Sequence, residues 1–80
     1  MSNQQQIYDA IKKAISEAPK GDKTVTLHMQ IIKYAQHLQN ISGKEFVESI
    51  GCKKSFHTDF NFMRKISKRL VDAGVKVSTL

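Results

Sequence analysis

The stretch GKEFVESIGCKKSFHTDFNF, residues 43–62, contains two apolar patterns of helical spacing with a glycine between them. Ser42 precedes it and Glu45 follows three residues later. This pair is typical of a capping box, in which each side chain satisfies a free backbone N–H of the other. A short helix is therefore predicted over residues 43–50, with Phe46, Val47 and Ile50 turned inward. Gly51 ends it, because glycine accepts the left-handed conformation that helix termini often require.

The second pattern continues beyond residue 62 and predicts the longest helix of the chain, from about Ser55 to Ala73. Its apolar residues recur at steps of four, three, three, four and three, which is the spacing of one helix face. These inward residues are Phe56, Phe60, Met63, Ile66, Leu70 and Ala73. Gly74 is expected to stop the helix.

Residues 43–62 resemble a helix-turn-helix, the motif in which a short helix, a tight turn and a second helix pack at a steep angle. With Gly51 in the turn, four of the family's five buried positions fall on Phe46, Ile50, Cys52 and Phe60. The fifth falls on His57, or on Phe56 if the turn is one residue off the usual length. Val47 departs from the small residue that the family prefers. The resemblance implies that the last helix is a recognition helix for DNA.

The first half of the chain predicts two further helices. Ile, Tyr and Ala residues at helical spacing indicate a helix over roughly residues 4–18, and Pro19–Asp22 reads as a loop. A second helical stripe runs from Leu27 to about Gln39. Residues 24–27 are either a short strand, pairing with 75–78, or an approach in which Thr24 or Thr26 caps the second helix. The predicted fold class is a small all-α, four-helix domain over residues 1–80, with a two-stranded, winged-helix-like element as the open alternative.

The apolar stripe of the first helix has two interpretations. It is either part of the core or half of a dimer interface, since a chain of 80 residues buries a small core. A homodimer is expected in any case, because one small helix buries little area on DNA and specific sites are often read as two half-sites.

Positive charge is concentrated at one end of the chain. Residues 1–50 hold six Lys/Arg and five Asp/Glu, whereas residues 51–80 hold seven Lys/Arg against Asp59 and Asp72. A basic field confined to one region attracts polyanions. The composition, 40% apolar and 25% charged, is otherwise that of an ordinary globular domain.

The face of the last helix opposite its apolar stripe is predicted to bind DNA. Its N-terminal part offers short hydrogen-bonding side chains suited to base edges, and its C-terminal part offers cations suited to phosphates. The predicted base contacts are His57, Thr58 and Asn61, and the predicted phosphate contacts are Lys53, Lys54, Arg64, Lys65, Lys68 and Arg69. Asp59 is expected to favour the N-terminal helix dipole, with a helix cap or a base contact as the alternatives. Phe62 packs on the first helix, contacts a second copy or stacks on a base.

The predicted function is that of a small protein that binds double-stranded DNA and acts as a transcriptional regulator or as a plasmid or phage regulator. The alternative is a protein-interaction module, an adaptor or antagonist, whose basic face docks on an acidic partner. No catalytic constellation, cofactor motif or metal-ligand spacing is recognised, so the chain is not expected to be an enzyme or to bind a cofactor. The single Cys52 and the lack of a long apolar run favour a cytoplasmic protein without a membrane partner.

Overall fold

The computed structural model describes residues 3–80 and contains four α-helices joined by short connections. The helices are α1 (Asn3–Glu17), α2 (Lys23–Tyr34), α3 (Gly43–Ile50) and α4 (Phe56–Asp72), and 3₁₀ segments follow at Ala35–His37 and Val77–Thr79. The predicted all-α, four-helix class is confirmed. The prediction of one domain over residues 1–80 also includes Met1 and Ser2, which lie outside the described residues.

The two-stranded element is absent from residues 3–80, and that alternative is wrong. Residues 24–27 belong to the first turns of α2, because Leu27 continues the apolar stripe that Ile31 carries into the core. The N-cap position falls on Asp22, not on Thr24 or Thr26, and the Thr26 N–H donates to the Asp22 carbonyl at 2.9 Å. At the other end of the chain, Val77 is buried within a 3₁₀ segment.

Both predicted termini of α3 are confirmed. The Ser42 hydroxyl oxygen accepts a hydrogen bond from the Glu45 backbone N–H at 3.1 Å, which is one of the two bonds of the predicted capping box. Gly51 has a φ of 82°, in the left-handed region, and its N–H donates to the Val47 carbonyl at 2.8 Å. These bonds supply partners for backbone groups that a helix leaves free at its ends.

Aromatic side chains from three helices meet at the centre of the core. Phe46 and Phe60 stack with ring centroids 4.2 Å apart, and Tyr8 meets the Phe46 ring edge-on at 6.2 Å. Phe46 and Phe60 are fully buried. Large buried rings contribute much of the apolar area that a small domain removes from water, so this contact ties α1, α3 and α4 together.

The apolar stripe of α1 belongs to the core. Ile7, Tyr8 and Ile11 are buried within the single chain, where α1 packs against α2 and α3. The alternative, in which this stripe is half of a dimer interface, is wrong for these residues because neighbouring helices already cover them.

The helix-turn-helix packing follows the predicted pattern, with one adjustment in the turn. Phe46 and Phe60 are fully buried, and Ile50 and Cys52 are half-buried against the core. Phe56, not His57, packs on the core, and His57 is exposed. The turn is therefore better described as one residue off the usual length.

The inward face of α4 differs from the prediction at its C-terminal end. Phe60 is fully buried, and the other large apolar side chains of that face are half-buried. Ala73 is exposed at the C-cap, so its assignment to the core stripe is wrong. Ser67 is buried instead, and its hydroxyl donates to the Ile32 carbonyl at 2.8 Å. This bond joins α4 to α2 inside the protein.

The first turns of α3 and α4 approach each other very closely. Gly43 is buried, and a Cβ atom at this position would lie 2.8 Å from the His57 carbonyl oxygen. That separation is shorter than ordinary van der Waals contact, so the backbone of α3 lies directly against that of α4.

Candidate nucleic-acid interface

The outward face of α4 lies opposite its buried face. Because a helix turns about 100° per residue, the side chains opposite Phe60 point to solvent. Eight of the nine predicted site residues are exposed, on this face or in the turn before it. They are Lys53, Lys54, His57, Thr58, Asn61, Lys65, Lys68 and Arg69.

Arg64, the ninth residue, is half-buried and points toward the connection between α2 and α3. Its Nη1 donates to the carbonyl oxygens of Leu38 at 3.0 Å, Gln39 at 3.3 Å and Ile41 at 2.9 Å. Its guanidinium carbon lies 4.3 Å from the centre of the Phe60 ring. Burial lowers the pKa of Arg64, but a guanidinium stays charged in proteins.

These contacts give Arg64 a structural role that the sequence pattern does not show. The phosphate contact predicted for this residue requires a guanidinium directed outward, whereas most of this one bonds to the chain itself. Arg64 holds the connection after α2 against α4, and a cation over an aromatic face strengthens that attachment.

Two of the polar side chains in the first turn of α4, those of His57 and Thr58, form bonds to the turn before the helix. His57 Nδ1–H donates to the Lys54 carbonyl at 2.7 Å, and the Thr58 hydroxyl donates to the Ser55 carbonyl at 2.9 Å. A neutral His57 then presents Nε2 as an acceptor, and Thr58 presents its oxygen lone pairs and its methyl group. These bonds orient both side chains within the free protein.

Asn61 is oriented by Arg64. Its Oδ1 accepts a hydrogen bond from Arg64 Nη2 at 2.7 Å, which also assigns the amide nitrogen to the opposite side. The amide N–H groups remain exposed as donors. Asn61 thereby connects the outward face of α4 to the anchored guanidinium.

Asp59 turns toward α2. Its Oδ2 accepts a hydrogen bond from His28 Nε2–H at 3.0 Å, and the two side chains are 39% and 29% exposed. Asp59 also lies in the first turn of α4, where a carboxylate favours the helix dipole, as predicted. A base contact is not favoured, because the carboxylate already has a partner on the neighbouring helix.

Phe62 is 60% exposed, so the interpretation in which it packs on α1 is wrong. The other two interpretations, contact with a second copy and stacking on a base, stay predictions. Val25 is also 60% exposed and Met29 is 39% exposed, both on α2.

An open groove of about 500 Å³ runs between the end of the α2–α3 connection and α4. It is lined by Gln39, Asn61, Arg64, Lys65 and Lys68, and we call it the basic groove. Gln39 was missed by the sequence pattern, because it belongs to no stripe of the last helix. A second groove of about 330 Å³ lies between α3 and the start of α4, lined by Lys44, Val47, Glu48, Lys54 and His57.

Neither a metal cluster nor a membrane-spanning helix is found in residues 3–80. No group of three or more His, Cys, Asp or Glu side chains could hold a metal ion there. Each helix of this region is too short or too polar to cross a bilayer. Cys52 is half-buried, and its burial raises the pKa of the thiol, which makes the reactive thiolate less available.

Comparison with known families identifies the domain. The sequence model of the HTH-like domain family matches residues 3–73, which extends the resemblance from one quarter of the chain to almost all of it. The chain belongs to the HTH-like domain family. No curated protein and no solved structure matches it. Membership confirms the helix-turn-helix resemblance, and an HTH-like domain points to a DNA-binding regulatory role in general terms.

Proposed function

We propose that the protein is a sequence-specific regulator that binds duplex DNA with α4 as its recognition helix. The observation that carries this proposal is the order of side chains on the exposed face of α4. His57, Thr58 and Asn61 occupy the N-terminal end, and Lys65, Lys68 and Arg69 occupy the C-terminal end. A helix that enters the major groove by its N-terminal end meets bases first and phosphates last.

The proposed base contacts use the donors, the acceptor and the methyl group that hydrogen bonds within the chain leave available. Asn61 offers its amide donors, His57 its Nε2 lone pair and Thr58 its methyl group, which suits the methyl group of thymine. Because these side chains are already oriented, binding loses less conformational entropy than it would with free rotors. The proposed phosphate contacts are Lys53, Lys54, Lys65, Lys68 and Arg69, all exposed.

Three further points belong to this proposal. A homodimer is expected to supply two recognition helices for two half-sites. The activity is binding without catalysis. The compartment is the cytoplasm, where DNA is available to a small regulator and a single cysteine stays reduced.

The test is the dependence of duplex affinity on salt. On a duplex that carries a single half-site and binds one protomer, neutralisation of about five phosphates gives a slope of log K against log[salt] near −4 to −5. Fluorescence anisotropy with a labelled duplex at several KCl concentrations measures it. Replacing Lys65 and Arg69 by alanine should reduce the steepness by about 2, because two fewer counterions are released. A slope close to zero for the unmodified protein rejects DNA binding by this face.

The second candidate is a protein-interaction module that binds an acidic partner. The exposed Phe62 favours it, because aromatic side chains are enriched in protein interfaces. Phe62 lies on α4 between Asp59 and Lys65, next to the cationic residues. Phe62→Ala separates the two candidates. Under the first proposal the variant should keep the steep salt dependence of duplex binding, because Phe62 is not a proposed phosphate contact. Under the second, the unmodified protein should show a salt slope near zero on duplex DNA, and Phe62→Ala should abolish partner binding.

A further inference from the structure

We propose that the basic groove binds a single backbone phosphate of the duplex and thereby sets the position of α4 along the DNA. This inference rests on the proposed function and adds a site to it. The groove lies between Gln39 in the α2–α3 connection and the outward face of α4. It differs from a general basic surface because it joins two parts of the chain that the sequence separates.

The side chains around the groove fit a phosphate diester. Three of the five lining residues are cations, the other two are amides, and none is a carboxylate. Cations and amide N–H donors are the groups that bind phosphate oxygens in protein–DNA interfaces. The groove between α3 and the start of α4 includes Glu48 in its lining, and the groove that shares Gln39 and Lys68 with the basic groove includes Asp72. A carboxylate disfavours an anion in either of them.

Arg64 lines the groove and forms hydrogen bonds to both of its sides. Its Nη1 is used by three carbonyl oxygens of the α2–α3 connection and its Nη2 by Asn61, so the wall that carries Gln39 is fixed relative to α4. Because Arg64 lines the groove, its positive charge still attracts an anion bound there. A site held in shape before binding loses less free energy on association than one that must be assembled.

Lys65 and Lys68 supply the mobile part of the site. Both are exposed and neither forms an ion pair within residues 3–80. Lys68 lies one helical turn after Arg64 and therefore on the same side of α4. Its flexible stem can bring the ammonium group to a phosphate lying over the guanidinium. The Gln39 amide nitrogen donates to the Ala35 carbonyl at 3.0 Å, which leaves its second N–H for the phosphate.

A phosphate in this groove has a consequence for base reading. Asn61 lines the groove and also belongs to the proposed base-contacting end of α4. The distance from the DNA backbone to Asn61, Thr58 and His57 is then fixed by the protein. Contacts to phosphates set the register in which base contacts are made, although they carry no sequence information themselves.

The test is a scan in which each phosphate of a bound duplex is replaced, one at a time, by an uncharged methylphosphonate. At one position in each half-site the replacement should weaken binding of the unmodified protein by about tenfold, the effect of losing one charge-assisted contact. In Lys68→Ala the same replacement should lower duplex affinity by about twofold or less, because this phosphate has already lost its contact with Lys68. Lys12→Ala is the matched control, since it removes an exposed cation from α1, and it should keep the full tenfold effect.

The outcomes separate this inference from the proposed function. If the duplex binds with a steep salt dependence but the scan gives the same profile in Lys68→Ala and Lys12→Ala, the groove assignment is wrong and DNA binding stands. If the duplex does not bind at all, both fail. An NMR titration with inorganic phosphate at constant ionic strength then shows whether Gln39, Asn61 and Lys68 take a free anion instead, which also overturns the backbone assignment.

Discussion

The two ends of the outward face of α4 differ in how much their side chains are held. At the N-terminal end, His57, Thr58 and Asn61 each form a hydrogen bond within the chain. At the C-terminal end, Lys65, Lys68 and Arg69 are exposed, and the side-chain bonds of residues 3–80 include none from them. Hydrogen bonds within the chain orient the N-terminal side chains, whereas the C-terminal side chains extend into solvent.

This difference matches two kinds of recognition. Discrimination between bases depends on donors and acceptors held in known directions, whereas attraction to phosphates depends mainly on charge and tolerates movement. Arg64 lies at the border, since it holds Asn61 by one nitrogen and the α2–α3 connection by the other. The same helix thus combines a fixed end and a mobile end.

The largest expected effect is on stability, and it comes from replacing Arg64, the residue between the two ends. Arg64→Ala should lower the free energy of unfolding by about 2–3 kcal/mol, because three carbonyl oxygens lose a charged donor and Phe60 loses the cation over its ring. Urea denaturation measures the change. Arg64→Lys is the control, and it should recover part of the loss, since a lysine keeps the charge but cannot form the fork. A loss below about 0.5 kcal/mol would show that the contacts add little.

The next effect tests whether the two ends act differently on DNA. Asn61→Ala should reduce discrimination between the preferred duplex and a single-base variant by about 1–3 kcal/mol, because a directed contact is lost. Lys65→Ala should instead weaken both duplexes by the same factor. Paired anisotropy titrations on the two duplexes give both values. Equal behaviour of the two variants would remove the distinction between the ends.

The smallest effect concerns the carboxylate on the inner edge of α4. Asp59→Asn should lower the free energy of unfolding by no more than about 1 kcal/mol, because its pair with His28 is partly exposed to solvent. Duplex affinity should stay equal or rise slightly, since a negative charge near the phosphates is removed. His28→Gln is the matched variant for stability. A clear fall in affinity for Asp59→Asn would instead assign this carboxylate to DNA contact.

The sequence predicts the local features of this fold well. The first and last helices lie within one residue of the expected limits, and both ends of α3 follow from Ser42, Glu45 and Gly51. These features depend on spacing and on residues near one another in the chain. The limits of α2 do not follow from local sequence in the same way. Alternating Thr and Val residues fit a strand as well as a helix until the packing of Leu27 decides between them. The helix ends at Tyr34, not near Gln39 as predicted, and a 3₁₀ segment follows it.

Features that depend on contacts across the chain were not predictable in the same way. Arg64 reads as one more cation in a stripe, and only the folded connection after α2 supplies the carbonyls that hold it. Ser67 reads as a surface residue, yet the Ile32 carbonyl gives its hydroxyl a buried partner. Gln39 lines the basic groove because the folded α2–α3 connection lies beside α4. The contacts to DNA stay predictions.

The approach of α3 to α4 at Gly43 has a consequence for altering specificity. At Gly43 no side chain separates the two backbones, so a larger residue at this position would push α3 and α4 apart. Residues on the solvent side of α4 can then be exchanged without the helix changing its angle. This small domain therefore suits redesign of its reading residues one at a time, with the scaffold left as it is.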